Sequence, residues 1–251
     1  MSFNFDWLSI IKSLIPTVIS ILPILLIIGF VFLGIYCFKN HVKIKWKSFT
    51  KKGFRPNRGN FGLFVYTGAQ GKGKTYSLVE YLLDNNKKIV VFSNVKDIKN
   101  VDHIRYFTGF KGIISIKNAL DNGSLVIPKG KRLVIVYDEL FQDFTRGDKL
   151  SKDVMDFLSQ MRKRKIICLT TAQYWSPIPI DFRRFARYQI DCNMIPFLFG
   201  GFLIKTFHDA EQMKWDNLQQ DFVAPVVETT VTKCRKLVSN SYDTFMRIHS
   251  A

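Results

Sequence analysis

Acid is scarce in this sequence. Asp and Glu number 20 against 37 Lys and Arg, a net charge of +17 at neutral pH. Asp6 and Lys12 are the only charges before Lys39 and cancel, so the whole excess sits on the later part. A balance of this kind favours an acidic partner, nucleic acid or an anionic membrane surface, without choosing between them. Cysteine is sparse too: Cys37, Cys168, Cys192 and Cys234 are scattered, with no C-x-x-C. That spacing argues against a disulfide framework and a zinc site and for free thiols in a reducing compartment. The four histidines (His41, His103, His208, His249) show no ligand or triad spacing and read as incidental. Neither an internal repeat nor a low-complexity tract is visible.

One stretch lacks charge altogether. Ser13 to Phe38 carries no charged side chain and exceeds the ~20 residues needed to cross a hydrocarbon layer. Pro16 and Pro23 are tolerated in such helices. A cleaved signal peptide is disfavoured, because the preceding residues carry no net side-chain charge and no small-x-small site precedes Lys39. Nor does Cys37 look like a lipoprotein acceptor, since a bulky Tyr36 precedes it. From Lys39 to Arg58 follow eight basic residues and no acidic one. The positive-inside rule then predicts a single-pass protein of the cytoplasmic (inner) membrane, N-terminus outside and the bulk of the chain in the cytoplasm. The same basic run can grip anionic headgroups.

What the chain does have is concentrated between Phe61 and Leu83. An apolar run, Phe61 to Thr67, predicts a buried strand, and Leu78, Val79, Leu82 and Leu83 mark a helix face. Between them stands Gly68-Ala-Gln-Gly-Lys-Gly-Lys-Thr75, the pattern G-x-x-x-x-G-K-[ST] in its strand–loop–helix context. Gly68 lets the chain turn off the strand, while Gly71 and Gly73 leave phosphate oxygens room to approach. Backbone N–H groups from Gln70 through Thr75 converge on the anion at a helix N-terminus. The expected nucleotide contacts are Gly68, Gly71, Lys72, Gly73, Lys74, Thr75 and Tyr76. Lys74 is expected on the β- and γ-phosphates, and the Thr75 hydroxyl on magnesium. ATP and Mg2+ are the ligands this loop calls for.

Further strands are predicted at Lys88–Val95, Arg132–Tyr137, Lys165–Thr171 and Arg187–Asp191, with helices at Ser115–Asp121 and Ser151–Arg164. Alternation of this kind argues for a parallel sheet covered on both faces. The fold class expected is α/β, a P-loop NTPase with a mainly parallel, RecA/ASCE-like sheet, preceded by one N-terminal transmembrane helix. Residues 1–38 form the tail and span, 39–59 a basic linker, 60–207 the ATPase domain and 208–251 an extension of unassigned role. Cys192–Ile204, uncharged but too short to span, reads as a core strand pair bent at Gly200-Gly201 in preference to a lipid-dipping surface. Asp209–Leu218 looks helical and Phe222–Val231 extended.

Leu133-Val-Ile-Val-Tyr-Asp138-Glu139 is a Walker B pattern. Asp138 is the expected magnesium partner, through a water, and Glu139 the base that polarises the attacking water. Gln173, at the tip of the strand at 165–171, is the expected γ-phosphate sensor, with Thr171 in reserve. Arg162, Arg164, Arg183, Arg184 and Arg187 form two basic clusters. One of them can reach a neighbouring subunit's γ-phosphate, line a path for nucleic acid, or face solvent. A ring homo-oligomer, such as a hexamer, goes with the first option.

With these pieces placed, the chain resembles the zonula occludens toxin-like family, which includes the assembly ATPases of filamentous bacteriophages. The residues that carry the likeness are Gly68–Thr75, Val91-Phe-Ser-Asn94, Asp138-Glu139, Arg162, Thr171-Ala-Gln173 and Asp181–Arg187, across roughly residues 60 to 192. The resemblance implies a membrane ATPase that drives export and assembly of single-stranded DNA virions, with phage coat and single-stranded DNA-binding proteins as partners. Members commonly carry the membrane segment after the ATPase domain; here it comes before, as expected where no outer membrane must be crossed. Two other readings compete: a nucleotide-binding membrane scaffold for assembly with little hydrolysis, and a lipid-surface NTPase with no nucleic-acid role.

Overall fold

A computed structural model of the chain describes residues 7–39, 42–44, 61–140, 143–144, 147, 149–197, 200–218 and 220–243. The chain divides into two units, residues 1–42 and 43–251. The first holds helix α1, Trp7–Lys39, unbroken at both prolines. At 33 residues it is about 50 Å long, more than the hydrocarbon thickness of a bilayer. Its segment Ser20–Lys39 has a mean hydropathy of 2.7 and no buried residue, with Phe30 71% and Phe38 88% exposed. Apolar surface of that extent is not left to water. The basic run that would orient it lies, apart from Lys39 and the strand Val42–Ile44, outside the described residues.

The second unit is built around one sheet. In chain order its elements are β1 (Val42–Ile44), β2 (Gly62–Thr67), α2 (Lys74–Asn85), β3 (Ile89–Ser93), β4 (Ile104–Tyr106), α3 (Gly109–Asp121) and β5 (Arg132–Tyr137). Then come α4 (Lys152–Gln160), β6 (Ile167–Ala172), α5 (Ile180–Phe185), β7 (Ala186–Phe197), β8 (Gly200–Asp209), β9 (Lys214–Asp216), β10 (Asp221–Val223), β11 (Val226–Lys233) and α6 (Lys236–Ser239). The strand order is β1-β11-β8-β7-β2-β6-β5-β3-β4. From β7 to β4 all neighbours are parallel, while β8 and β11 add an antiparallel wing.

Strand alternation decides the two faces. Leu63 and Val65 of β2 pack with Phe110 and Ile113 of α3, Val154 and Phe157 of α4 and Phe182 of α5. Phe64 and Tyr66 pack on the other side with Leu78, Val79 and Leu82 of α2 and Val238 of α6. Both faces are covered, so every residue of β2, β3 and β6 is buried, as a parallel sheet requires.

Three boundaries differ from the sequence pattern for identifiable reasons. Helix α3 begins at Gly109, six residues earlier than the apolar spacing suggests. Gly112 has no side chain because Phe107 lies 2.8 Å from where a Cβ would stand, and Asp143 Oδ2 accepts the Phe110 N–H at 3.0 Å. Helix α4 starts after Ser151, whose hydroxyl accepts the Val154 N–H, but regular helix stops at Gln160. The chain then closes with Lys165 in the left-handed region (φ 56), Ile166 N–H on Met161 O at 2.9 Å and Lys165 N–H on Arg162 O at 3.1 Å. That is a Schellman ending, sealed by contact between buried Met161 and Ile166. The helix expected over Asp209–Leu218 is absent: Ala210–Gln212 makes one 3-10 turn, and Lys214–Asp216 pairs with Asp221–Val223 as a separate hairpin. Cys192–Ile204 is indeed a strand pair, β7 against β8, in register down to Phe197 and Gly200.

Candidate nucleotide site

All the parallel strands end on the same side, and residues 68–73 form the loop that leaves β2 there. Its glycines answer three separate needs. Gly68 (φ 141) turns away under the Cys192 carbonyl, whose oxygen lies 2.6 Å from where a Cβ would be. Gly71 (φ 74) has nothing within 4 Å of that position and faces open space. Gly73 (φ 86) sits against Leu203 Cδ1 and Met194 Cε, 2.8 and 2.9 Å from its missing Cβ. Its lack of a side chain therefore also serves packing on the β7–β8 hairpin. Gly68 N–H donates to the Gln173 carbonyl at 3.2 Å, which ties the loop to the end of β6.

Helix α2 starts at Lys74, so its first N–H groups open onto the loop. Lys74 Nζ folds back on the loop, donating to Gly68 O at 2.8 Å and Ala69 O at 3.1 Å. Partial burial lowers its pKa, against the opposing pull of Asp138. Lys72 is exposed on the loop. Tyr76 points elsewhere: its ring is buried under α2 and its hydroxyl accepts the Arg235 N–H at 2.6 Å.

The acidic half of the site hangs from β5. Asp138 is 7% exposed, and Thr75 Oγ1 donates to its Oδ2 at 3.0 Å while Thr171 Oγ1 donates to its Oδ1. Burial raises the Asp138 pKa, partly offset by those two hydroxyls and by Lys74. Asn94, at the end of β3, clamps the backbone of the same residue: its Oδ1 accepts the Asp138 N–H at 2.7 Å and its Nδ2 donates to the Asp138 carbonyl at 2.9 Å. Glu139 has φ 62, a conformation that costs a non-glycine residue on the order of 1–2 kcal/mol. It is held there by its N–H, which donates to Thr171 Oγ1 at 2.8 Å. Thr171 thus bridges both acids, whereas the Gln173 side chain is exposed beyond the strand tip.

Whether the site suits a magnesium ion can be judged from its oxygens. Two adjacent ligands of an octahedral ion with Mg–O distances of about 2.1 Å are about 3 Å apart. Thr75 Oγ1 and Asp138 Oδ2 already stand at 3.0 Å. Among the described residues no three His, Cys, Asp or Glu side chains converge. A hard cation held by one carboxylate, one hydroxyl and substrate phosphates needs no such cluster.

The five arginines are spread out. Arg162 and Arg187 lie beside Gly62, at the amino end of β2, about 20 Å along the strand from the loop. Arg162 pairs with Glu211, and Arg187 lies over the Tyr188 ring at 6.0 Å. Arg164 pairs with Asp121 and donates to Gln160 Oε1 at 2.7 Å. Arg183 is buried on Asp221 at 2.7 Å, fastening the β9–β10 hairpin to α5. Arg184 is exposed, 3.5 Å from Asp181.

Two clusters near the loop were not visible in the sequence. Glu80 of α2 is 1% exposed and meets Lys205 Nζ of β8 at 2.7 Å and Arg235 at 3.4 Å, and Arg235 also reaches Asp84 at 2.8 Å. Thr67, Asp191 and His208 form the other, across β2, β7 and β8. An acid inside the apolar helix run Leu78–Leu83 was the one available hint of the first; nothing in the spacing marks the second.

A glycine loop between a central parallel strand and its helix, an acid pair on β5 and β6 inserted between those two strands together make this the α/β fold of P-loop NTPases. No family model and no curated protein matches the sequence. Among solved structures, the fold is similar to the N-terminal domain of zonular occludens toxin from Neisseria meningitidis, at 17% identity and TM-score 0.46, covering 72% of this chain and 98% of that one. It is also similar to the genome packaging NTPase B204 of Sulfolobus turreted icosahedral virus 2 in complex with ATP-gammaS, at 11% identity and TM-score 0.42, covering 66% and 98%. A third likeness is to the flagellar accessory protein FlaH of Methanocaldococcus jannaschii, at 13% identity and TM-score 0.37, covering 58% and 77%.

Proposed function

We propose that this chain is a membrane-anchored ATPase that couples hydrolysis to moving DNA, or to assembling and exporting a filamentous-type phage, at the cytoplasmic membrane. The observation that carries the reading is the meeting of Lys74, Thr75, Asp138 and Glu139 at one end of the sheet, with Thr75 and Asp138 at the spacing of two magnesium ligands. The loop N–H groups from Gln70 to Thr75 hold the phosphates, and Lys74 moves its ammonium from the Gly68 and Ala69 carbonyls to phosphate oxygens. Thr75 and Asp138 would hold magnesium, which would supply positive charge to the phosphates. Glu139 takes the proton of the attacking water, and Thr171 keeps the two acids in register. Gln173, at the mouth of the site, senses the γ-phosphate.

Helix α1 is the anchor, and the basic run after it keeps the catalytic unit on the cytoplasmic side with the N-terminus outside. The +17 charge supports an acidic cargo. Coat protein and single-stranded DNA-binding protein are the partners this reading implies. A homo-oligomeric ring lets an exposed arginine, Arg184 for one, serve a neighbour's site, because the partners described above keep Arg162, Arg164 and Arg183 engaged at home.

Lys74→Ala in the full chain should abolish ATP turnover while membrane insertion stays intact; turnover at the parental rate refutes the ATPase. For the cargo, the detergent-solubilised chain should bind single-stranded DNA with an affinity that falls steeply as salt rises. Absence of salt-sensitive binding would leave a lipid-surface NTPase without a nucleic-acid role.

A further inference from the structure

The end of β2 is tied to a histidine two strands along. Thr67, the residue before Gly68, donates its hydroxyl to Asp191 Oδ1 of β7. The same oxygen accepts Gln189 Nε2 at 3.0 Å, and Asp191 Oδ2 lies 2.9 Å from His208 Nε2 of β8. His208 Nδ1 is 3.1 Å from the Ala224 carbonyl oxygen. A carbonyl can only accept. Burial would favour the neutral Asp191, but His208, Thr67 and Gln189 hold it below the usual carboxylate range, so it is ionised at neutral pH and also can only accept. Both ring nitrogens therefore face acceptors, and the arrangement is complete only when both carry protons. The doubly protonated ring is the form these two acceptors favour. The next residue on β7 presses on the loop itself, since the Cys192 carbonyl fills the space a Gly68 side chain would need.

We propose that protonated His208 is a positioning residue for the phosphate loop, acting through Asp191 on Thr67 and Gly68, so that the loop grips nucleotide more tightly when His208 is charged. This rests on reading Gly68–Thr75 as the nucleotide site. A neutral ring would turn a lone pair toward either the Ala224 carbonyl or the Asp191 carboxylate, and one of the two contacts would become repulsive. β7 would then lose the hold that keeps Asp191 under Thr67.

The other ionisable groups nearby are otherwise engaged. Lys205 of β8 meets Glu80, Asp209 accepts from Glu211 N and Gln212 Nε2, the Cys192 thiol meets Ser77, and Glu228 of β11 has a contact of its own. The Asp191 carboxylate is the charge that acts on the ring, together with the Ala224 carbonyl. Burial by itself would lower the His208 pKa, but these two partners outweigh it and the net shift is upward. The contribution of a raised histidine is complete below its unfolded value of about 6.5 and is lost as pH rises through the folded value. Asp191 does not close the window at physiological pH. Burial would raise its pKa, yet His208, Thr67 and Gln189 hold it below the usual carboxylate range, so it ionises well before His208 titrates.

The test uses the full chain in detergent, a fluorescent ATP analogue with magnesium as probe, and histidine-labelled protein for NMR. Wild type should bind the probe with an affinity that drops by about fivefold or more as pH rises through the His208 titration, and His208→Gln should lack that step. Glutamine keeps a donor toward Asp191 but cannot titrate, so a merely structural histidine would leave the two profiles alike. By reciprocity, saturating probe should raise the His208 pKa read from the wild-type imidazole signals, an arm that needs no variant. Probe binding with the same pH profile in wild type and variant, or a His208 pKa indifferent to probe, overturns the proposal alone. No probe binding by wild type at any pH overturns the nucleotide reading and the proposal with it, while the imidazole signals still report the charge on His208.

Discussion

Glu139→Gln should bind ATP and magnesium as the parent does and turn ATP over about 10²- to 10⁴-fold more slowly. The substitution keeps the size of the side chain and removes its capacity to take a proton. It should also leave the backbone alone, because Glu139 is fixed by its N–H on Thr171 and by a positive φ that the amide has no reason to change. The chain tolerates the cost of this conformation at a position directly after the buried Asp138, which is where a catalytic base is needed. Equilibrium binding and steady-state phosphate release on the same preparation separate the two effects. Equal release rates would remove Glu139 from the chemistry. If instead the variant and the parent support assembly equally well, hydrolysis is dispensable and the scaffold reading takes over.

The second large effect falls on stability. Glu80→Gln should lower the unfolding free energy by about 3–5 kcal/mol, because it strips the buried Lys205 of its carboxylate, while Arg235 keeps Asp84. Lys205 is 3% exposed on its side chain and Arg235 20%, so neither is freely rescued by water. In a thermal melt this corresponds to a fall of about 10 °C for a unit of this size. Replacing Glu80 and Lys205 together by Leu and Met should recover most of the loss, since swapping both members of a buried pair for apolar residues is often close to neutral. A single variant that melts with the parent would show the pair to be incidental. The location gives the pair its interest: Glu80 is on the helix that begins with Lys74, and its partners come from β8 and from the segment after β11. The last part of the chain thereby braces the helix on which the phosphate loop depends.

The same segments show why some expectations failed. Asp209–Leu218 has helical spacing, but Asp209 closes β8 in register with Tyr188, and its carboxylate caps a single tight turn through Glu211 N and Gln212 Nε2. Beyond it Trp215 packs edge-on against Phe222 across the β9–β10 pair. Strand pairing at a distance overrode a weak local preference. Thr171 and Gln173 were both legible as strand-tip candidates. Only the path of β6 between β2 and β5 decided that Thr171 reaches Asp138, with Gln173 exposed just beyond the strand end.

Contiguous features were set by the sequence alone: the loop at Gly68–Thr75, the buried strands, the acid pair after Tyr137 and the uncharged run that becomes α1. Their geometry follows from neighbours a few bonds apart, where residue type and chain stiffness leave little choice. Tertiary structure decided what joins residues far apart in the chain, Thr67 to Asp191 and Asp191 to His208, Glu80 to Lys205, Asn94 to Asp138. No spacing rule encodes such pairs, because their separation is bridged by the order of strands in the sheet, and burial then gives each lone charge or donor its one available partner.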